Sequence, residues 1–393
     1  RYLIDNDINS SSFDIYKNNN LPNLFIDSAN DHFYGIKKLG LPISGGKDTR
    51  ALAALSKFHS AENITAFTWG DSNEAEVITA KKIGQYLGIK HLFFDYNPKN
   101  YIKDFNNAVH LTDGLFISNW IFRNYLIENI QSSVTGIFDG MSVWGSCFRA
   151  NQTYNGTNNK HLIQKLMVMN SSKKMMNIIA DKKLKNELKD VYNELYEKWV
   201  SFQGDKTFSL FNLLENPYLH FRGLSIKHQY IKTRSPLMDY RIADYYLKAP
   251  IRYQRYGHLF VKTLLKLDKE LSSFPHNKTR LPLSTPLFFN KLVIESLANK
   301  WYARFNKISN IMFRKSIIDT GHPPSISPSN NFRDPNVINY FNEILGRYDK
   351  NGSGLFDVDQ ILKLLERHVR KYENNTPILG TIMTYLIWEE QNS

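Results

Sequence analysis

The sequence predicts an α/β protein in which a parallel sheet is flanked by helices and followed by a mostly helical C-terminal part. Three observations carry that prediction. Between residues 31 and 115, short apolar runs of strand length alternate with helical stretches, the order that builds a parallel sheet covered on its faces. Within this region, Leu41-Pro-Ile-Ser-Gly-Gly-Lys-Asp-Thr-Arg50 passes from an apolar lead-in through two glycines straight into the apolar run Ala51–Leu55. From about His161 onward the pattern turns helical, as in the stripe Leu184, Leu188, Val191, Leu195 and Trp199.

Taken in order, residues 1–30 are polar and rich in Asn, Ser and Asp without a period, and they read as a linker or tail. Strands are expected at Leu41–Ile43, Ile64–Trp69 and His91–Phe94. Helices are expected from Thr49 and over Ser72–Leu87, the second burying Ala80, Ile83 and Leu87 and stopping at Gly88. Another strand at Ser133–Phe138 ends at Asp139-Gly140. The Asn-rich stretch 151–159 and the segment Pro323–Pro328 read as loops, and amphipathic helices around Ile361–His368 and Leu379–Trp388 close the chain. The expected organisation is a linker over 1–30, a nucleotide-binding α/β part over 31–160 and a helical part over 161–393.

Length and composition bound the function. A chain of 393 residues can bury a large core and has room for two or three domains. With 42% hydrophobic residues and no apolar run of bilayer-spanning length, it reads as soluble, with no membrane partner. Arg1–Asp7 lacks the charged start and apolar core of a secretory signal. The single cysteine, Cys147, excludes an intrachain disulfide and a Cys-rich metal site, so a reducing, cytoplasmic setting is expected. Lys and Arg outnumber Asp and Glu by 50 to 37, a formal net charge of +13. That surplus alone does not make a nucleic-acid protein, because no RNP, zinc-finger or glycine-arginine signature accompanies it.

The chemistry concentrates at Ser44-Gly45-Gly46-Lys47-Asp48-Thr49. A strand that ends in two glycines and enters a helix brings backbone N–H groups and a helix N-terminus to one point, where a phosphate can approach without meeting a Cβ. Neither the Walker spacing nor the dinucleotide fingerprint is present. The six residues also fit a plain Gly-Gly turn. They resemble the S-G-G-x-D-S loop of the ATP pyrophosphatase superfamily, with Thr49 in place of the last Ser and its hydroxyl kept.

Two further motifs extend the resemblance. Thr233-Arg-Ser-Pro-Leu-Met-Asp239 resembles the R-x-P-[FL]-[LM]-D segment of the asparagine synthetase synthase domain, and Lys262-Thr-Leu-Leu-Lys266 resembles that family's later K-x-x-[IL]-[RK] element. Nearly the whole chain can be laid along the family in order, Thr279–Pro286 falling where the family has a basic, proline-containing stretch. The resemblance implies an adenine nucleotide α-hydrolase-like, PP-loop fold and an AMP-forming ligase that uses ATP and Mg²⁺. Ser44, Gly45, Gly46 and Thr49 would hold pyrophosphate, and Asp48 would bind Mg²⁺. Trp69 and Gly70, at the end of the second strand, would lie by adenine, although a core aromatic is an equal reading of Trp69. Lys262 would stabilise charge at the reacting centre, while Arg234 and Asp239 would form a structural pair. Lys47 reads as a loop neighbour facing solvent.

The chain departs from the family at its second acidic loop, G-E-G-A-D-E. Here the stretch is Phe138-Asp139-Gly140-Met141-Ser142-Val143, which keeps a carboxylate at Asp139 but puts Ser142 where a metal ligand is expected. Asp139 is the catalytic candidate of this loop, and a turn residue is its plain alternative. Cys147 cannot act as an N-terminal glutaminase nucleophile, so nitrogen would come from free ammonia, a glutaminase partner or upstream domain, or an amine on the substrate, as in relatives that close β-lactam or macrolactam rings. The substrate would be a small-molecule or peptide carboxylate. Two other readings stand beside this one, a tRNA-modifying PP-loop enzyme and a nucleotide-binding relative with weakened catalysis. Asp349–Asp357 resembles a calcium loop but has Gln360 in place of the final Glu, and reads as a turn before a helix.

Overall fold

The computed structural model describes residues 20–59, 61–70, 72–95, 99–115, 124–142, 172–200, 224, 226–249, 253, 257–277, 279–291, 294 and 332–393. Val143, Cys147, the stretch 151–159 and Pro323–Pro328 lie outside them.

Five strands form one parallel sheet: β1 (Leu39–Pro42), β2 (Ile64–Gly70), β3 (Lys90–Asp95), β4 (Gly136–Phe138) and β5 (Thr233–Arg234), in the order β3-β2-β1-β4-β5. The order reverses at β1. The chain runs outward through β2 and β3, then returns to the far side of β1 for β4 and β5, which opens a crevice beyond the carboxyl ends of β1 and β4. All four residues of β1 are buried, as a strand covered on both faces requires. β4 starts later than the sequence suggests because the Thr135 hydroxyl accepts hydrogen bonds from the Lys37 and Lys38 N–H groups, both at 2.9 Å, and bends the chain into the strand.

Helix α1 (Leu21–Phe33) overturns the linker reading of residues 21–30. Among its polar residues, Leu21, Phe25 and Ala29 recur every fourth position and are buried, and Ser28 Oγ donates to the Pro236 carbonyl at 2.8 Å. Average polarity hid that stripe. Helix α2 (Lys47–Ser56) follows β1, with Gly46 as an extended N-cap and everything from Arg50 to Ser56 buried. Helix α3 (Ala75–Leu87) stops at Gly88, whose φ of 65° is the left-handed conformation open to glycine.

The remaining helices are α4 (Lys99–Thr112), α5 (Asn124–Ile130), α6 (Ser172–Ile178), α7 (Lys182–Val200), α8 (Tyr240–Lys248), α9 (His258–Leu267), α10 (Pro335–Asn351), α11 (Val358–Val369) and α12 (Thr376–Asn392). One apolar cluster joins α1, α2, α8 and α9 to one face of the sheet through Leu41, Ile64 and Ala66. A smaller cluster around Phe67, Ile130 and Ile137 covers the other face. A third joins α4 to α10, α11 and α12 through Phe105, Phe341, Ile361 and Leu379. The calcium-like stretch ends α10, and Asp357 caps α11 by accepting from the Gln360 N–H at 3.0 Å. Among the described residues no helix is long and apolar enough to cross a membrane.

Candidate active site

The loop between β1 and α2 lies at the switch point and is tied by its own hydroxyls. Ser44 Oγ accepts from the Gly46 N–H at 3.0 Å, Thr49 Oγ1 accepts from the Ser44 N–H at 3.1 Å, and the two hydroxyls are 2.9 Å apart. Both glycines sit in tight surroundings: a Cβ on Gly46 would stand 3.1 Å from Ser44 Oγ, and one on Gly45 would stand 3.0 Å from Asn277 Cβ. Asp48 sits in the first turn of α2, where a carboxylate meets the positive end of the helix dipole.

The loop after β4 comes from the other side of the crevice. The Asp139 N–H donates to the Arg234 carbonyl at 2.7 Å, extending the β4–β5 ladder, and Asp139 Oδ1 accepts from the Met141 N–H at 2.8 Å. Its Oδ2 pairs with the ammonium of Lys227, on the helical residues 226–230, and both side chains are nearly buried. Ser142 donates its hydroxyl to Asp48 Oδ1 at 2.8 Å. Asp48, Asp139 and Ser142 therefore stand at one site.

Lys262 lies on α9, the helix packed against α2, with its ammonium 6.0 Å from the Tyr253 ring centre. One turn earlier, His258 stacks on Phe289 with ring centres 3.7 Å apart. Burial lowers the His258 pKa, and the charges of Lys262 and Lys47 lower it further. The half-buried Lys47 thus belongs to the same electropositive surroundings as Lys262 and His258, not to open solvent. Trp69 and Gly70 end the neighbouring strand β2. The Trp69 ring packs near Phe67, at 6.2 Å between centres, on the face of the sheet opposite Ala66. Gly70 has φ of 141°, a conformation that favours glycine, and a Cβ there would stand 3.1 Å from Val77 Cγ2.

The expected Arg234–Asp239 pair does not form. Asp239 caps α8, accepting from the Arg241 N–H at 2.8 Å, and Arg241 binds both carboxylate oxygens at 3.0 and 2.7 Å while reaching Asp31 at 2.6 Å. An N-cap and a bidentate guanidinium close by in sequence outcompete a partner on β5.

Arg50, Lys227 and His258 escaped the sequence reading. Arg50 carried only a faint signal, a charge directly before the apolar run Ala51–Leu55. It is fully buried, and burial lowers its pKa to about 10, which leaves it charged at neutral pH. Lys227 carried none, since only the fold brings it to Asp139.

The donor set fits a nucleoside triphosphate, with two glycines that admit a phosphate, two hydroxyls, a helix N-terminus and lysines 47 and 262 nearby. It also fits Mg²⁺. Among the described residues no three acidic, His or Cys side chains gather, so Asp48 would bind the ion together with phosphate oxygens and water, the set Mg²⁺ favours. A family model described as asparagine synthase matches residues 20–266, from the start of α1 into α9. No curated protein matches the chain.

Proposed function

Because the chain belongs to the asparagine synthase family, whose members are ATP-dependent, amide-forming ligases, we propose that it adenylates a carboxylate and transfers the acyl group to nitrogen. A carboxylate oxygen attacks the α-phosphorus of ATP, the bond to the bridging oxygen breaks, and pyrophosphate leaves. Ammonia or an amine then attacks the acyl carbon, loses a proton, and AMP departs. The observation that carries this reading is the Ser142–Asp48 hydrogen bond, which joins the anion-binding loop to the loop after β4 at the switch point.

In this reading Ser44, Gly45, Gly46 and Thr49 hold the departing pyrophosphate through N–H and hydroxyl donors. Asp48 would hold Mg²⁺, and the ion would supply neutralising charge along the phosphates. Lys262 offsets the negative charge that builds at the reacting centre, and Asp139 orients the incoming nitrogen. Trp69 and Gly70 bound the adenine side. The nitrogen comes from free ammonia, from a glutaminase partner or domain, or from an amine already on a small-molecule or peptide substrate.

A second reading, nucleotide binding with weakened catalysis, draws on a separate observation: Lys227 and the Met141 N–H engage both oxygens of Asp139 while Ser142 replaces an acid. A pyrophosphate-release assay with ATP and Mg²⁺ separates the two. The ligase reading expects release with some carboxylate and none with tRNA alone. No release with any carboxylate, together with unchanged ATP affinity in Asp48→Ala, would sink it, and binding without release would leave the second reading.

A further inference from the structure

Besides its own hydroxyls, the anion-binding loop is held by a residue outside the motif. Arg50, one turn into α2, reaches back with both terminal nitrogens of its guanidinium into backbone carbonyls. Nη2 donates to the Gly45 carbonyl at 3.1 Å and to the Pro275 carbonyl, and Nη1 donates to the Phe274 carbonyl at 2.6 Å and the Leu271 carbonyl at 3.3 Å. The Gly45 carbonyl also accepts from the Asn277 N–H at 3.0 Å. Residues 271–277 thus form a strap over the loop, pinned to it by the buried Arg50 side chain and by the Asn277 N–H, and the strap lies beyond the stretch matched by the family model.

The consequence follows from the planarity of the peptide. In a trans peptide the carbonyl of one residue and the N–H of the next point in opposite directions. Two donors fix the Gly45 carbonyl toward α2 and the strap, so the Gly46 N–H is turned the other way, where Ser44 Oγ now accepts it. Glycine has the widest conformational freedom of any residue, so the bonds from Arg50 and Asn277 to the Gly45 carbonyl add to the local hold of Ser44 Oγ on the Gly46 N–H. An oriented N–H at a helix start, held before the ligand arrives, avoids the cost of reorganisation on binding.

We propose that Arg50 is the positioning residue that presets the pyrophosphate-binding conformation of the Ser44–Thr49 loop by fixing the Gly45–Gly46 peptide and the 271–277 strap together. The inference rests on the reading of that loop as a pyrophosphate site. Lysine is no substitute, since a single ammonium cannot match a planar fork serving four carbonyls. The strap has other anchors, including the Lys57–Asp268 ion pair at 2.7 Å and the Leu283 N–H to Ser272 carbonyl bond at 2.9 Å, so losing Arg50 leaves it tethered.

Calorimetric titration of the full chain with inorganic pyrophosphate, ATP and AMP tests this. In Arg50→Lys, affinity for pyrophosphate and ATP should fall by about tenfold or more, while affinity for AMP, which lacks the pyrophosphate, should change by less than about threefold. Gly45→Ala is the second variant. Its Cβ would point at Asn277, on the strap side of the loop, and it should give the same split if Arg50→Lys does not fold by circular dichroism. Pyrophosphate affinity within about twofold of wild type in the folded variant, or equal losses for AMP and pyrophosphate, would overturn the proposal. A wild-type chain that binds no pyrophosphate removes the underlying reading and this inference with it; wild-type binding with an unchanged variant removes the inference alone.

Discussion

The hydroxyl of Ser142 donates a hydrogen bond to Asp48 Oδ1 at 2.8 Å, joining loops 94 residues apart in the chain. A serine there offers Asp48 a hydroxyl donor, not a second carboxylate, and the bond orients the Asp48 side chain.

Ser142→Asp should make the site more dependent on Mg²⁺. Two facing carboxylates repel, so the variant's melting temperature in EDTA should fall below wild type, and Mg²⁺ with ATP should raise it by more than it raises wild type. Half-saturation by Mg²⁺ in pyrophosphate release should drop by about threefold or more. Thermal scans with and without the ion check this, and an equal response in both proteins would count against Asp48 as the metal ligand.

His258 should titrate below the ordinary histidine range, held down first by burial and then by Lys262 and Lys47. A depressed histidine pKa means that the unfolded chain binds the proton more readily. Stability from this group is therefore retained above the unfolded value, about 6.5, and declines as pH falls below it. His59 and His91, lowered mainly by burial, act in the same direction. In Lys262→Met the His258 midpoint should rise, read by NMR titration of the imidazole; an unmoved midpoint would place Lys262 away from the site.

Asp239→Ala removes the N-cap of α8 and frees Arg241, and it should cost about 1–2 kcal/mol in urea denaturation. Burial pushes the Asp239 carboxyl up, but the hydrogen bonds from Arg241 outweigh it and hold the pKa below the usual value. The lost stability should accordingly be present above the unfolded carboxyl range and vanish on acidification through the folded value. Arg234→Ala should not reproduce that acid-sensitive pattern.

Phe25→Ala should destabilise by roughly 3–5 kcal/mol, because the ring is fully buried between α1 and α9, 6.1 Å from Phe260 between centres. A loss below about 1 kcal/mol would return residues 21–30 to the status of a tail.

Much of the fold was legible because its signals are local. The strand runs at Leu41, Ile64 and His91 alternate with helices at spacings of a few residues, and Gly45-Gly46 after Ser44 announce a tight turn into a helix. Helix α1 was not legible from average polarity, since four buried positions in thirteen, Leu21, Phe25, Ser28 and Ala29, decide its placement among polar neighbours. The Arg234–Asp239 expectation failed for a related reason: the motif names both residues, but a bidentate partner two residues away wins over one across the sheet edge.

By itself the sequence determined the α/β alternation, the phosphate-sized loop and the order of its motifs, because periodicity and glycine chemistry act within a turn or a strand. Only the tertiary structure decided which distant groups meet there. Lys227 reaches Asp139 across 88 residues, Ser142 reaches Asp48 across 94, and Arg50 reaches the strap carbonyls across more than 220. Those meetings depend on the reversal of strand order at β1, which brings the ends of β1, β4 and β5 to one crevice, and no local pattern encodes that reversal.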